Sequence, residues 1–170
     1  MHVATTVDAI PSPTRSIRTD TYEKLLSVGA IILGVAMGAA IIRGHAHWRE
    51  VPLLIWLHLL TIAVAIALTP TMLLSTRGTT RHRWLGRVWA AAMLLTAALT
   101  FGIHGSDGYS VIHLLSAWTL LQVPLIWWTA RTHRVVRHRR AVRGMVTGAL
   151  LVAGFFTFPF DRLLGNWLFG

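Results

Sequence analysis

Residues 51–76 of the chain read VPLLIWLHLLTIAVAIALTPTMLLST and contain no Asp, Glu, Lys or Arg. A hydrocarbon core about 30 Å thick needs roughly 20 helical residues, so this stretch is long enough to cross a bilayer. Lipid offers no hydrogen-bond partner to a free backbone N–H or C=O, and this restricts a single crossing segment to an α-helix. The stretch therefore predicts a transmembrane helix.

Four further uncharged runs lie on either side of it, at residues 25–42, 88–106, 108–130 and 144–160. The 170 residues are 54% hydrophobic and 13% charged, whereas soluble domains carry about 25% charged residues. We therefore expect an all-α integral membrane protein in which residues 23–170 form one transmembrane domain, a five-helix bundle. The polar residues 1–22 are expected to form a flexible cytoplasmic tail.

The basic residues indicate how this bundle is oriented. If the N-terminus is cytoplasmic, thirteen of the 16 Lys and Arg residues fall on the cytoplasmic side, and only Arg43, Arg49 and Arg162 fall outside. Such a bias predicts an N-terminus in the cytoplasm and, with five spans, a C-terminus outside. The net charge of +10 is then a feature of membrane topology. We expect the lipid bilayer as a partner and do not expect nucleic acid.

The second and third predicted helices resemble the fourth and fifth. The sequence LHLLT at 57–61 corresponds to IHLLS at 112–116, and HRWLGR at 82–87 corresponds to HRRAVR at 138–143. Two repeats of two spans that enter from the same side should be related by a pseudo-twofold axis along the membrane normal. We expect helices two to five to form a four-helix core in which four histidines recur in step.

These four histidines suggest a cofactor. From the rise per residue, His58 and His113 lie roughly 8 to 10 Å below the outer surface, and His82 and His138 lie near the inner surface. Two stacked histidine pairs in a four-helix bundle can hold two b-type haems, each iron ligated by two imidazoles. We predict one or two haem b groups with these four residues as cofactor-binding residues and iron ligands.

Simpler interpretations exist for each pair. The outer histidines could serve as interhelical hydrogen-bond donors. The inner histidines stand among arginines and could belong to an interfacial basic cluster that contacts lipid phosphate. His45 and His47 form an H-x-H pair that, with His104, could bind copper or zinc, or could lie in a solvated loop.

Some site classes are excluded by composition and spacing. The chain has no cysteine, which rules out disulfides, thiolate metal sites and the attachment motif of c-type haem. None of the six acidic residues falls in the middle of a predicted span. That position argues against a proton-coupled transporter with a buried carboxylate relay. We predict no catalytic residue.

The region from His58 to about Thr147 resembles the domain-of-unknown-function 2306 family of predicted bacterial membrane proteins. The residues that carry the resemblance are LHLL at 57–60, HRWLGRV at 82–88, His104, His113, and HRR at 138–140 followed by Arg143. The resemblance implies a fold and a place in the bacterial inner membrane, but no settled activity.

The order of the histidines also resembles the ascorbate-reducible transmembrane di-haem cytochromes b. In that family the first and third core helices share one haem, and the second and fourth share the other. The resemblance implies that His58 pairs with His113 and that His82 pairs with His138. Those cytochromes hold their ligands inside helices, whereas His82 and His138 precede the uncharged runs of this chain.

Two functions from different classes follow. The first is a membrane electron carrier, a b-type cytochrome that passes electrons from a cytoplasmic or quinol donor to an acceptor outside. It would be an oxidoreductase component only in this sense, with a quinol or a redox protein as partner. The second is a cofactor-free accessory subunit that docks into a larger membrane complex. Gly34 with Gly38, and Gly144 with Gly148, have the GxxxG spacing of close helix packing, within the bundle or with a partner.

Overall fold

The computed structural model describes residues 19–103, 111–159 and 161–170, and the regular structure in these ranges is entirely helical. The prediction of an all-α protein is confirmed. The elements in chain order are α1 (Thr21–Arg43), a 3₁₀ segment (Gly44–Glu50), α2 (Leu53–Leu74), α3 (Thr80–Thr100), α4 (Val111–Arg131), α5 (Val135–Met145), a π-helical segment (Val146–Val152), α6 (Ala153–Phe155) and α7 (Leu163–Phe169).

Three stretches in the described residues are long and apolar enough to cross a membrane. They are Thr21–Glu50, Leu53–Leu74 and Val111–Arg131. This finding agrees with a membrane protein. Helices α3 and α5 differ from these three because each carries at least three arginines, at 81, 83 and 87 in α3 and at 137, 139, 140 and 143 in α5.

Two helices begin earlier than the uncharged runs suggested. Helix α3 begins at Thr80 rather than at 88, and the helix that contains the run from 144 begins at Val135. The Thr79 side chain accepts a hydrogen bond from the His82 backbone N–H and so caps α3. Arginine has a high helix propensity, so each helix can include an arginine-rich turn before its apolar run begins.

Other predicted boundaries also move. Helix α3 ends at Thr100 rather than at 106, and the fifth helical stretch ends at Phe155 rather than at 160. The predicted tail, residues 1–22, overlaps the first turn of α1. Asp20 caps that helix through a reciprocal capping box with Glu23. Residues 1–18 lie outside the described part of the chain.

The helices pack against their neighbours in chain order. Helix α1 contacts α2, α2 contacts α3, α3 contacts α4, and α4 contacts α5. The π-helical segment then returns to contact α1. This order closes around a shared core that includes Met72, Trp89 and Met145. The short helix α7 packs against α1 and buries Leu164 and Trp167.

Candidate functional site

A cavity of about 410 Å³ lies at the end of the molecule where α2 ends, α3 begins and α4 turns into α5. Its volume is within the roughly 300–1,000 Å³ typical of small-molecule sites. We call it the inner cavity because it lies on the side predicted to be cytoplasmic. Its lining includes His82, His133 and His138, five arginines, Glu23, and apolar side chains such as Met72, Leu73, Trp89, Ile126 and Val142.

His82, in the first turn of α3, lines this cavity with its ring orientation fixed. Its Nδ1 lies 3.2 Å from the Ser75 Oγ, and that hydroxyl donates to the Met72 carbonyl at 3.1 Å. A hydroxyl that has given its proton to a carbonyl can only accept at its lone pairs. His82 Nδ1 therefore carries the proton, and Nε2 keeps the lone pair of the neutral ring.

His138, in the first turn of α5, has the same tautomer. Its Nδ1 lies 3.1 Å from the Ile126 carbonyl oxygen at the end of α4. A carbonyl oxygen only accepts, so Nδ1 must donate and Nε2 keeps its lone pair. Metal-binding histidines commonly have this arrangement, in which one ring nitrogen donates to a carbonyl and the other is the ligand.

Both inner histidines are held in the neutral form. They lie before the predicted spans 88–106 and 144–160, and both rings are half-buried. Burial lowers the pKa of each imidazole, and the positive charge of the nearby Arg77 lowers both pKa values further. A neutral imidazole is the protonation state that can ligate a metal.

A buried carboxylate forms one wall of the cavity. The Glu23 side chain is 1% exposed, and its carboxylate pairs with Arg77, with Arg139 at 2.8 Å and with Arg143 at 3.2 Å. Arg143 also pairs with Asp20. These contacts join the start of α1 to the loop after α2 and to α5. Sequence reasoning missed this cluster, although a D-x-x-E spacing at 20–23 on an arginine-rich side was a signal.

Three further arginines line the cavity where α3 meets α4. Arg83 and Arg87 come from α3, Arg131 is the last residue of α4, and all three side chains are exposed. Within the described ranges, no ion pair involves any of these three. The cavity therefore has one neutralised wall, at α1 and α5, and one cationic wall, at α3 and α4.

The outer pair lies elsewhere in the molecule. His58 on α2 is half-buried, and its Nδ1 donates to the Thr96 carbonyl of α3 at 3.2 Å. This bond again leaves Nε2 with the lone pair. His113 on α4 is 5% exposed, and its ring centroid lies 6.0 Å from that of Phe101. The inner cavity brings His82 and His138 together and includes neither outer histidine.

The predicted H-x-H motif gains no third ligand in the described residues, where no group of three or more His, Cys, Asp or Glu side chains gathers. His45 is exposed and its Nδ1 lies 3.2 Å from the Ile42 carbonyl oxygen. His104 lies outside the described residues.

Comparisons with protein-family models, curated proteins and solved structures found no match to this chain. The resemblances to the domain-of-unknown-function 2306 family and to the di-haem cytochromes b stay predictions.

Proposed function

We propose that this protein is a b-type cytochrome, a membrane electron carrier that holds haem b in the inner cavity between His82 and His138. One observation carries the proposal. Two imidazoles from different helices line the same cavity, and both have the Nδ1 proton engaged, which leaves Nε2 as the ligand. His82 and His138 would be the two protein ligands that a b-type haem requires.

The lining of the cavity suits a flat, largely apolar group. Met72 and Leu73 from α2 and Ile126 from α4 present apolar surface. Gly86 lies one turn beyond His82 and also lines the cavity, and no heavy atom stands within 4 Å of the position that a Cβ would occupy there. The α3 backbone can therefore approach a planar ring closely.

The roles of the protein residues follow from these contacts. Ser75 and the Ile126 carbonyl orient the two imidazoles. The apolar walls of the cavity would exclude water from the bound haem. When bound, haem supplies a one-electron Fe(III)/Fe(II) couple, which is the chemistry of a cytochrome. Electrons would come from a quinol or a redox protein on the cytoplasmic side.

The proposal includes a topology and a second site. The chain would span the bacterial inner membrane five times, with helices two to five forming two repeats, the N-terminus inside and the C-terminus outside. His58 and His113 would hold a second haem nearer the outer surface. The support is that the His58 Nδ1 donates to the Thr96 carbonyl, which leaves Nε2 with the lone pair, and that the His113 side chain is buried in the protein. An intramembrane histidine is a functional candidate by default.

The test begins with the absorption spectrum of protein purified in detergent from haem-replete cells. We expect a Soret band and a sharp α-band on reduction. Replacing His82 or His138 with Ala should abolish the low-spin spectrum of the inner haem, because a six-coordinate site needs both axial nitrogens. The control is His47→Ala, an exposed histidine outside the cavity. A helical but colourless wild-type protein would refute the proposal.

The outer pair is tested separately. If it holds a second haem, His58→Ala and His113→Ala should each remove part of the haem and leave the inner site intact. If both variants keep the full wild-type haem content, the protein binds one haem only.

A second candidate function is an accessory subunit of a larger membrane complex. The observation that favours it is a small-residue face: at Gly144 and Gly148, nothing stands within 4 Å of where a Cβ would be. Another helix could approach closely there. Gentle detergent extraction and size analysis distinguish the two functions. Colourless protein found in a large particle supports this candidate, whereas coloured protein in a small particle supports the cytochrome.

A further inference from the structure

The charge of the inner cavity is only partly balanced. Of the five arginines that line it, Arg77 and Arg139 pair with the Glu23 carboxylate. The other three, Arg83, Arg87 and Arg131, surround the same cavity without a carboxylate in the described residues. A cavity with apolar walls and one uncompensated cationic wall matches a ligand that is apolar in its body and anionic at one edge.

The position of this cationic wall indicates where the anionic edge would lie. Along α3, His82, Gly86 and Ala90 are successive cavity residues one turn apart, and Arg87 lies beside Gly86 on that face. Along α4, Arg131 follows Trp127 by one turn. The two guanidinium groups come from neighbouring helices that pack together. Neither is among the arginines that pair with Asp20 or Glu23.

We infer that Arg87 and Arg131 bind the two propionate carboxylates of the haem and so determine its orientation in the cavity. This inference rests on the proposed function, since it names the groups that recognise the acidic edge of the same ligand. Guanidinium groups are suited to this role because their N–H donors match a carboxylate in a bidentate, charge-assisted pair. The Glu23 carboxylate is already paired with Arg77, Arg139 and Arg143, so the arginines of that wall are not available to a propionate.

The experiment compares two ligands that differ only at the acidic edge. Apoprotein from haem-deficient cells is titrated with haem b and with haem b dimethyl ester, in which both propionates are neutral, for the wild type and for Arg87→Gln/Arg131→Gln. We expect the wild type to bind haem b about tenfold more tightly than the ester, since two exposed ion pairs each contribute modestly. The double variant should bind both ligands within about twofold of each other, because the ion pairs that distinguish the acid from the ester are gone.

The matched control is Arg81→Gln/Arg140→Gln, which removes two exposed arginines of α3 and α5 that do not line the cavity. It should keep the wild-type preference for haem b. If the wild type binds haem b but Arg87→Gln/Arg131→Gln keeps the full preference over the ester, the inference is wrong and the cytochrome proposal stands. If that variant keeps the preference for haem b but loses acidic phospholipid that co-purifies with the wild type, the two arginines bind lipid phosphate and the inference is wrong. If the wild type binds neither ligand, the proposed function and this inference fail together.

Discussion

Single residues at the inner cavity have roles that depend on what surrounds them. His82 and His138 share a tautomer because a hydroxyl and a carbonyl oxygen accept from each Nδ1. Glu23 lies fully buried only because Arg77, Arg139 and Arg143 surround its carboxylate. A buried charge is tolerated in a protein when it is paired and hydrogen-bonded. The ion cluster therefore stabilises the cavity wall.

Glu23→Gln is expected to destabilise the protein by about 2 to 4 kcal/mol, because removing one partner of a buried ion pair leaves the other charges uncompensated. The measurement is the denaturant midpoint of the purified protein in detergent, followed by circular dichroism. The matched control is Asp20→Asn in the same turn, whose side chain is 46% exposed and whose amide still caps the helix. That variant should lose less than about 1 kcal/mol. Equal losses in the two variants would contradict the prediction.

At the scale of elements, the early starts of α3 and α5 place both inner histidines in the first turn of a helix. The predicted di-haem arrangement needs ligands on helices, and the uncharged runs suggested that His82 and His138 precede them. Because α3 begins at Thr80 and α5 at Val135, both histidines have a fixed backbone from which to face the cavity.

The packing of α7 gives an element-scale prediction. A Cβ on Gly165 would meet the backbone of Phe158, and one on Gly44 would meet the Trp167 ring. Gly165→Ala and Gly44→Ala should each destabilise the protein by about 1 to 3 kcal/mol, the usual range for overpacking. The measurement is again the unfolding midpoint in detergent. Gly38→Ala on α1 is the control, since nothing lies within 4 Å of the added carbon, and it should not lower the midpoint. Loss in Gly38→Ala equal to that in Gly165→Ala would refute the argument.

At the scale of the whole molecule, the chain-order packing closes when the π-helical segment returns to α1. The inner cavity depends on this closure, because its lining comes from α1, α2, α3, α4 and α5. Charge asymmetry predicts that this cavity faces the cytoplasm, since thirteen of the 16 Lys and Arg residues belong to that side.

A reporter that is active only in the cytoplasm tests this topology. Fused after Gly170, it should be silent, because five spans from a cytoplasmic N-terminus place the C-terminus outside. The control is the same reporter fused before Met1, which should be active. An active C-terminal fusion would mean an even number of spans or the opposite orientation.

The sequence by itself determined the helical class and the three long apolar helices, and it predicted His82 and His138 as a pair. A long uncharged run in lipid can satisfy its backbone hydrogen bonds only as an α-helix, so composition and length were sufficient to predict these helices. It could not determine where α3 and α5 begin, because an arginine-rich turn is as helical as the apolar run that follows. Only the tertiary structure decided that Glu23 pairs with arginines of α5 more than a hundred positions away. Only it showed which cavity arginines lack such a partner in the described residues, because ion pairs between distant segments depend on packing that no local pattern records.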